Sequence, residues 1–127
     1  MRSPLPLKVV EGYLDALARR DFDAVRGFLV DAGFSYTSPI ATIESADELV
    51  TYLTIVSGIV QGVECRKVFV DGSDVCHFLV YTTQLAEKQQ TPVVQWARVD
   101  GERIQRVELL FDAHQYKIMF GQPELAG

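Results

Sequence analysis

Few side chains in this chain of 127 residues are equipped for chemistry, and most of those stand alone. The two histidines are His77 and His114. By strand parity His77 falls on the outer face of a sheet, where it reads as an interface residue. His114 follows the last strand and reads as a surface residue near a pocket mouth. Asp112 reads as the cap of a short C-terminal helix rather than as a base. Cys65 and Cys76 flank a turn at Asp71–Asp74. Counting outward from that turn puts Cys65 near Val80 or Tyr81, not opposite Cys76. Free, buried thiols are therefore expected, with no disulfide. Two cysteines make no metal site, and no cofactor is expected.

More informative are polar groups set among apolar ones. Tyr13 faces inward on a helix, equally suited to a satisfied core hydroxyl and to a polar point in a pocket. Gln95 falls inward on a strand with apolar neighbours, and a buried amide needs partners. Tyr36 and Ser38 share one strand parity. Tyrosine and glutamine can both donate hydrogen bonds. A serine with no base beside it does not abstract a carbon-bound proton at neutral pH. The chemistry on offer is thus recognition of an acceptor.

The elements that must position these groups follow from periodicity. Val10, Tyr13, Leu14 and Leu17 make one apolar face of a helix over Lys8–Arg19, with Pro4 and Pro6 keeping the lead-in extended. Asp21 caps a second short helix, Phe22–Leu29, with Val25, Phe28 and Leu29 inward. Phe34–Ser38 alternates like a short strand that Pro39 ends. Ser45, with Glu48 three residues on, opens a third helix whose stripe is Leu49, Val50, Leu53, Val56 and Val60. The segments Cys65–Val70, Val75–Gln84, Pro92–Val99 and Arg103–Phe111 are rich in β-branched and aromatic residues and read as strands. Asp100-Gly101-Glu102 reads as a three-residue hairpin, and the tail beyond Phe111 as a short helix. Three helices followed by four strands is an α+β pattern in one domain spanning residues 1–127.

Composition narrows the function further. The chain is 48% hydrophobic, enough for a core without staples. The formal net charge of -5 disfavours a nucleic-acid partner, which needs a basic face. No apolar run is long enough to span a bilayer and no targeting segment is visible, so no membrane partner and a cytoplasmic location are expected.

Several strings carry a resemblance. They are Val9-Val10-Glu11-Gly12-Tyr13-Leu14-Asp15-Ala16-Leu17, then Arg20-Asp21-Phe22-Asp23-Ala24-Val25, Tyr36-Thr37-Ser38-Pro39, Val93–Val99, and Asp100-Gly101-Glu102-Arg103-Ile104 leading to Leu109-Leu110-Phe111-Asp112. Together they resemble the nuclear transport factor 2-like superfamily, which includes ketosteroid isomerases and SnoaL-like polyketide cyclases. The resemblance implies a cone-like α+β fold, with N-terminal helices packed on a curved mixed or antiparallel sheet that encloses one apolar pocket. Ketosteroid isomerase is the nearest pattern. Its helix-one tyrosine matches Tyr13. Its carboxylate base falls where this chain has Ser38, and its oxyanion-hole aspartate where this chain has Gln95. Both carboxylates are replaced, and no catalytic residue is assigned.

The resulting expectation is a pocket for a small apolar molecule bearing a hydrogen-bond acceptor. Leu17, Phe78, Val80, Val93, Val107 and Leu109 are expected to line it. Phe111 is expected to line it as well, with Tyr13, Tyr36, Ser38 and Gln95 as polar points. The outer sheet face is expected to form a homodimer through Leu79, Tyr81, Trp96, Arg98, Arg106 and Leu110. Two alternatives stay open: an isomerase, cyclase or hydratase with a rearranged site, and a non-catalytic interaction module whose cavity its own side chains fill.

Overall fold

The structure, a computed structural model, describes residues 4–84 and 87–114. Three α-helices, α1 (Leu5–Ala18), α2 (Phe22–Gly27) and α3 (Ala46–Val56), alternate with and precede six strands. The strands are β1 (Ser35–Ser38), β2 (Ala41–Ile43), β3 (Val60–Asp71), β4 (Asp74–Gln84), β5 (Lys88–Asp100) and β6 (Arg103–Leu110). They form one sheet in the order β2-β1-β6-β5-β4-β3. β1 runs parallel to β6 and every other neighbouring pair is antiparallel, so the sheet is mixed.

The caps behave as their residue types dictate. The Asp21 carboxylate accepts from the Ala24 N–H at 3.1 Å, and the Ser45 hydroxyl from the Glu48 N–H at 3.3 Å. α1 starts earlier than its periodicity suggests, at Leu5. Pro6 sits in its first turn, where a missing N–H leaves no bond unmade. α2 stops at Gly27, and the chain then runs beside β6. The Ile104 N–H donates to Phe28 O at 2.6 Å and the Val30 N–H to Ile104 O at 3.0 Å.

Strands β3 and β5 are longer than the sequence pattern suggests. β3 begins at Val60, directly after a single 3-10 turn over Ser57–Ile59, and not at Cys65. β5 begins at Lys88 and runs through Pro92. β6 pairs with β5 only as far back as Val94↔Leu110, so the missing Pro92 N–H can face the side that β6 leaves open. Strand β2 has no counterpart in the sequence reading; three residues carry too little pattern. Register shifts between Val60 and Gly62, between Cys65 and Lys67, and between Arg98 and Val99 interrupt the ladders. Bulges of this kind bend a sheet and increase its twist.

The β3–β4 and β5–β6 hairpins have two-residue loops. Asp71 pairs with Asp74 around Gly72-Ser73, and Asp100 with Arg103 around Gly101-Glu102. The second loop was expected to hold three. Gly72 and Gly101 lie at φ 60° and 64° while Ser73 and Glu102 stay at negative φ, the pattern of type II′ turns.

One face assignment is corrected. Pairing of His77 with Gln95 puts Val75, His77, Leu79, Tyr81 and Thr83 of β4 on the inner face and Cys76, Phe78 and Val80 on the outer. Phe78 and Val80 therefore do not point into the fold, and Leu79 and Tyr81 do not belong to the outer face. Leu79 is 2% exposed and Phe78 40%. The alternation is ambiguous in sequence because both faces of β4 are apolar, and the polar His77 stands on the buried one. Trp96, Arg98, Arg106 and Leu110 do face outward. Cys65 pairs with Leu79 because of the adjacent bulge, and Cys76 with Phe69. Both thiols are free, but Cys65 is exposed on the edge strand rather than buried.

The core lies between the helices and the inner sheet face. Val10, Ala16, Leu29, Leu49, Val75, Ala97 and Ile104 are fully enclosed there. The C-terminal helix expected after Asp112 lies outside the described residues. The Asp112 carboxylate accepts from the His114 N–H at 3.2 Å.

Candidate functional site

A cavity of about 210 Å³ opens where the end of α1, the α3–β3 junction and the sheet interior meet. A cavity of roughly 150 Å³ already admits benzene. Its apolar wall includes Leu17 from α1, Leu53 and Val56 from α3, and Val63, Val93, Leu109 and Phe111 from the sheet side. Its polar lining includes the side chains of Tyr36, Tyr52, Tyr81, Thr83 and Thr91. Arg20 and Gln61, both exposed, stand at the rim.

Arg20 owes its place to the way α1 ends. Its N–H bonds Leu17 O and the next N–H, of Asp21, bonds Ala16 O. This is a Schellman cap, which requires a left-handed residue and usually takes glycine. Arg20 adopts φ 58° there, at a cost of about 1 kcal/mol for a residue with a Cβ. Its guanidinium crosses to the α3–β3 junction, where Nη2 donates to Ser57 O at 3.0 Å and Val60 O at 3.1 Å.

The tyrosines form one electrostatically linked group. Tyr36 and Tyr52 meet with ring centroids 6.1 Å apart. Burial raises the Tyr36 hydroxyl well above its ordinary value, reinforced by Tyr13, Tyr81 and Tyr52, while a hydrogen bond with Ser38 pulls the other way. Burial pushes Tyr81 up to about 12 and raises Tyr52. Burial, then the nearby Tyr81, also raises Tyr13. These phenols stay protonated at neutral pH, so they act as donors and acceptors and not as bases. Among the described residues no Asp, Glu, His or Cys lines the cavity.

The structure distributes the sequence-derived site residues unevenly. Leu17, Tyr36, Val93, Leu109 and Phe111 are on the wall. Ser38 is not; its hydroxyl accepts from the Ile40 N–H at 3.2 Å and bonds Tyr36, so it orients that ring. Val107 pairs with Tyr36 across β6 and β1 and is buried in the core. Phe78 and Val80 lie on the far face. Tyr13 and Gln95 are each 2% exposed and off the cavity wall.

Gln95 instead sits opposite His77, and Gln95 Nε2 and His77 Nδ1 are both buried without a hydrogen-bond partner. Missed by sequence reasoning were Tyr52, Tyr81, Thr83, Thr91 and Arg20. Tyr52 stands three residues from Leu49, which was a usable signal. Tyr81 and Thr83 follow Leu79 at strand period, but only once the face of β4 is known.

His77 makes stability depend on pH. Burial lowers its pKa from the ordinary value near 6.5, and Glu11 of α1 opposes this. The unfolded chain then binds the proton first as pH falls, so stability should drop below about pH 6.5 and level off once pH passes below the folded-state pKa. Urea midpoints at pH 7.5 and 5.5 should show a larger loss in the native protein than in His77→Gln. Equal losses would mean that His77 does not contribute.

A scan against protein-family models finds no match, and a search of curated proteins finds none either. Solved structures do match over nearly the whole chain. An LEH-like epoxide hydrolase from M. tuberculosis is 26% identical, with a TM-score of 0.76 over 87% of this chain and 84% of that one. A nuclear transport factor 2-like protein of unknown function from Burkholderia pseudomallei is 15% identical, with a TM-score of 0.80 over 94% and 100%. A protein assigned as a SnoaL-like polyketide cyclase, from Shewanella denitrificans, is 13% identical, with a TM-score of 0.75 over 91% and 96%. The chain has the fold of the nuclear transport factor 2-like superfamily, three helices packed on a mixed, curved six-stranded sheet.

Proposed function

We propose that this domain binds a small, mostly apolar molecule carrying a hydrogen-bond acceptor, such as a ketone. The observation that carries this reading is the composition of the cavity: an apolar wall interrupted by the neutral phenols of Tyr36, Tyr52 and Tyr81. A polar group in an enclosed apolar site gains from a partner and is costly to leave without one. The polar contacts would come from these cavity tyrosines rather than from Tyr13 and Gln95.

Isomerase, cyclase or epoxide hydrolase chemistry at this site would need a group to move a proton. The likeness to an epoxide hydrolase favours such an activity. The absence of a carboxylate or histidine from the described wall favours binding without turnover.

Titration with cyclohexanone, followed by amide chemical shifts, tests the reading. A ketone of about seven heavy atoms should bind with a Kd of about 1 mM, well inside the usual ligand-efficiency ceiling. The shifts should gather at Leu53, Val56, Val63, Tyr81 and Val93. Shifts confined to the outer face, or none, would contradict it.

The second part of the proposal concerns the partner, a second copy of this chain on the outer sheet face. Leu110, Phe69, Phe78 and Trp96 lie together there at 59%, 55%, 40% and 37% exposure. Phe69 and Phe78 pack edge to face at 5.9 Å, and the Arg106 guanidinium covers the Trp96 ring at 4.9 Å. Aromatics and arginines in one patch are the usual make-up of an interface centre.

A further inference from the structure

We propose that Arg20 adapts the cavity mouth to the carboxylate of a small organic acid whose apolar body fills the cavity. The inference rests on the cavity being a ligand site and adds a second polar contact at its rim, apart from the acceptor that would meet the tyrosines. Arg20 is the one cationic side chain among the described residues that line the cavity. A guanidinium has five N–H donors. Two of its hydrogen bonds run from Nη2 to Ser57 O and Val60 O, which fix the group at the rim. Nε and Nη1 keep their donors for a ligand.

The acidic neighbours are engaged elsewhere. Asp15 and Asp21 pair with Arg19 at 2.9 and 3.5 Å, and no carboxylate among the described residues lies within ion-pair distance of Arg20. The backbone adds an independent observation. Gly33, Gly72 and Gly101 also take positive φ, and Arg20 is the single residue with a Cβ to do so among those described. A glycine would fit the helix end without strain, so the position trades backbone ease for a cation at the cavity mouth. A carboxylate there would gain charge-assisted hydrogen bonds from a group already held in place.

The test compares cyclohexanecarboxylate with cyclohexylmethanol at pH 7.5 by calorimetric or chemical-shift titration of the full chain. The acid should bind about tenfold more tightly than the alcohol, the scale of one charge-assisted hydrogen bond. In Arg20→Gln that preference should fall to about one. Arg20→Gly suits the left-handed backbone and should give the same loss of preference if the glutamine variant folds poorly. Equal binding of acid and alcohol to the native protein, or a preference that survives both substitutions, would overturn the proposal. Alcohol binding without acid preference would sink the role of Arg20 and leave the cavity as a site. Binding of neither compound would sink both.

Discussion

Leu17→Trp should abolish ligand binding and leave the protein folded. Leu17 sits in the last turn of α1, half-buried, with its side chain on the cavity wall. An indole there would occupy the space a ligand needs. The backbone would be little disturbed, since tryptophan costs a helix only a few tenths of a kcal/mol more than leucine. Cyclohexanone affinity should fall at least about thirtyfold, because the ligand would have to displace the ring. The thermal midpoint should move by only a few degrees, the scale of a change under about 1 kcal/mol for a domain of this size. Retained affinity in a folded variant would place the ligand somewhere other than this cavity.

The second large effect is expected on association. Trp96→Glu should weaken the proposed dimer by at least about thirtyfold, as removal of an interface hot spot of about 2 kcal/mol does. Trp96 lies near the middle of the outer face, with its indole N–H donating to Asp74 at 3.0 Å. Arg98 also binds Asp74, at 3.2 Å, and Arg106 binds Glu108 at 3.0 Å, so the charges around it are already paired. A glutamate would place an unpaired charge in the apolar centre of the contact. Sedimentation should show the native chain as a dimer at tens of micromolar and the variant as a monomer with an unchanged fold. A native monomer at that concentration would remove the dimer.

Much of the architecture was legible in the sequence because local rules and global fold agree there. Asp21 and Ser45 cap helices where their types and spacing indicate. In β5 and β6, polar Arg98 and Arg106 alternate cleanly with buried Ala97 and Val107, so parity reads the faces correctly. In β4 the two sets are equally apolar, and the face is settled by pairing with β5, a long-range fact. That one ambiguity exchanged Phe78 and Val80 for Leu79 and Tyr81. Arg20 escaped notice for a different reason: left-handed helix ends normally carry glycine, and nothing local marks an arginine as one. Tyr13 and Gln95 were correctly placed inside, but burial alone does not tell a cavity wall from packed core. Which inward residues border empty space depends on where α3 and the start of β3 leave a gap, and pattern does not encode gaps.

The most direct test of the ligand site is a crystal structure of the protein grown or soaked with cyclohexanone. The ketone should lie between α3 and β3 to β6, with its oxygen within hydrogen-bond distance of the hydroxyl of Tyr36, Tyr52 or Tyr81. A cavity closed by its own side chains, or a ketone bound only on the outer sheet face, would contradict the account.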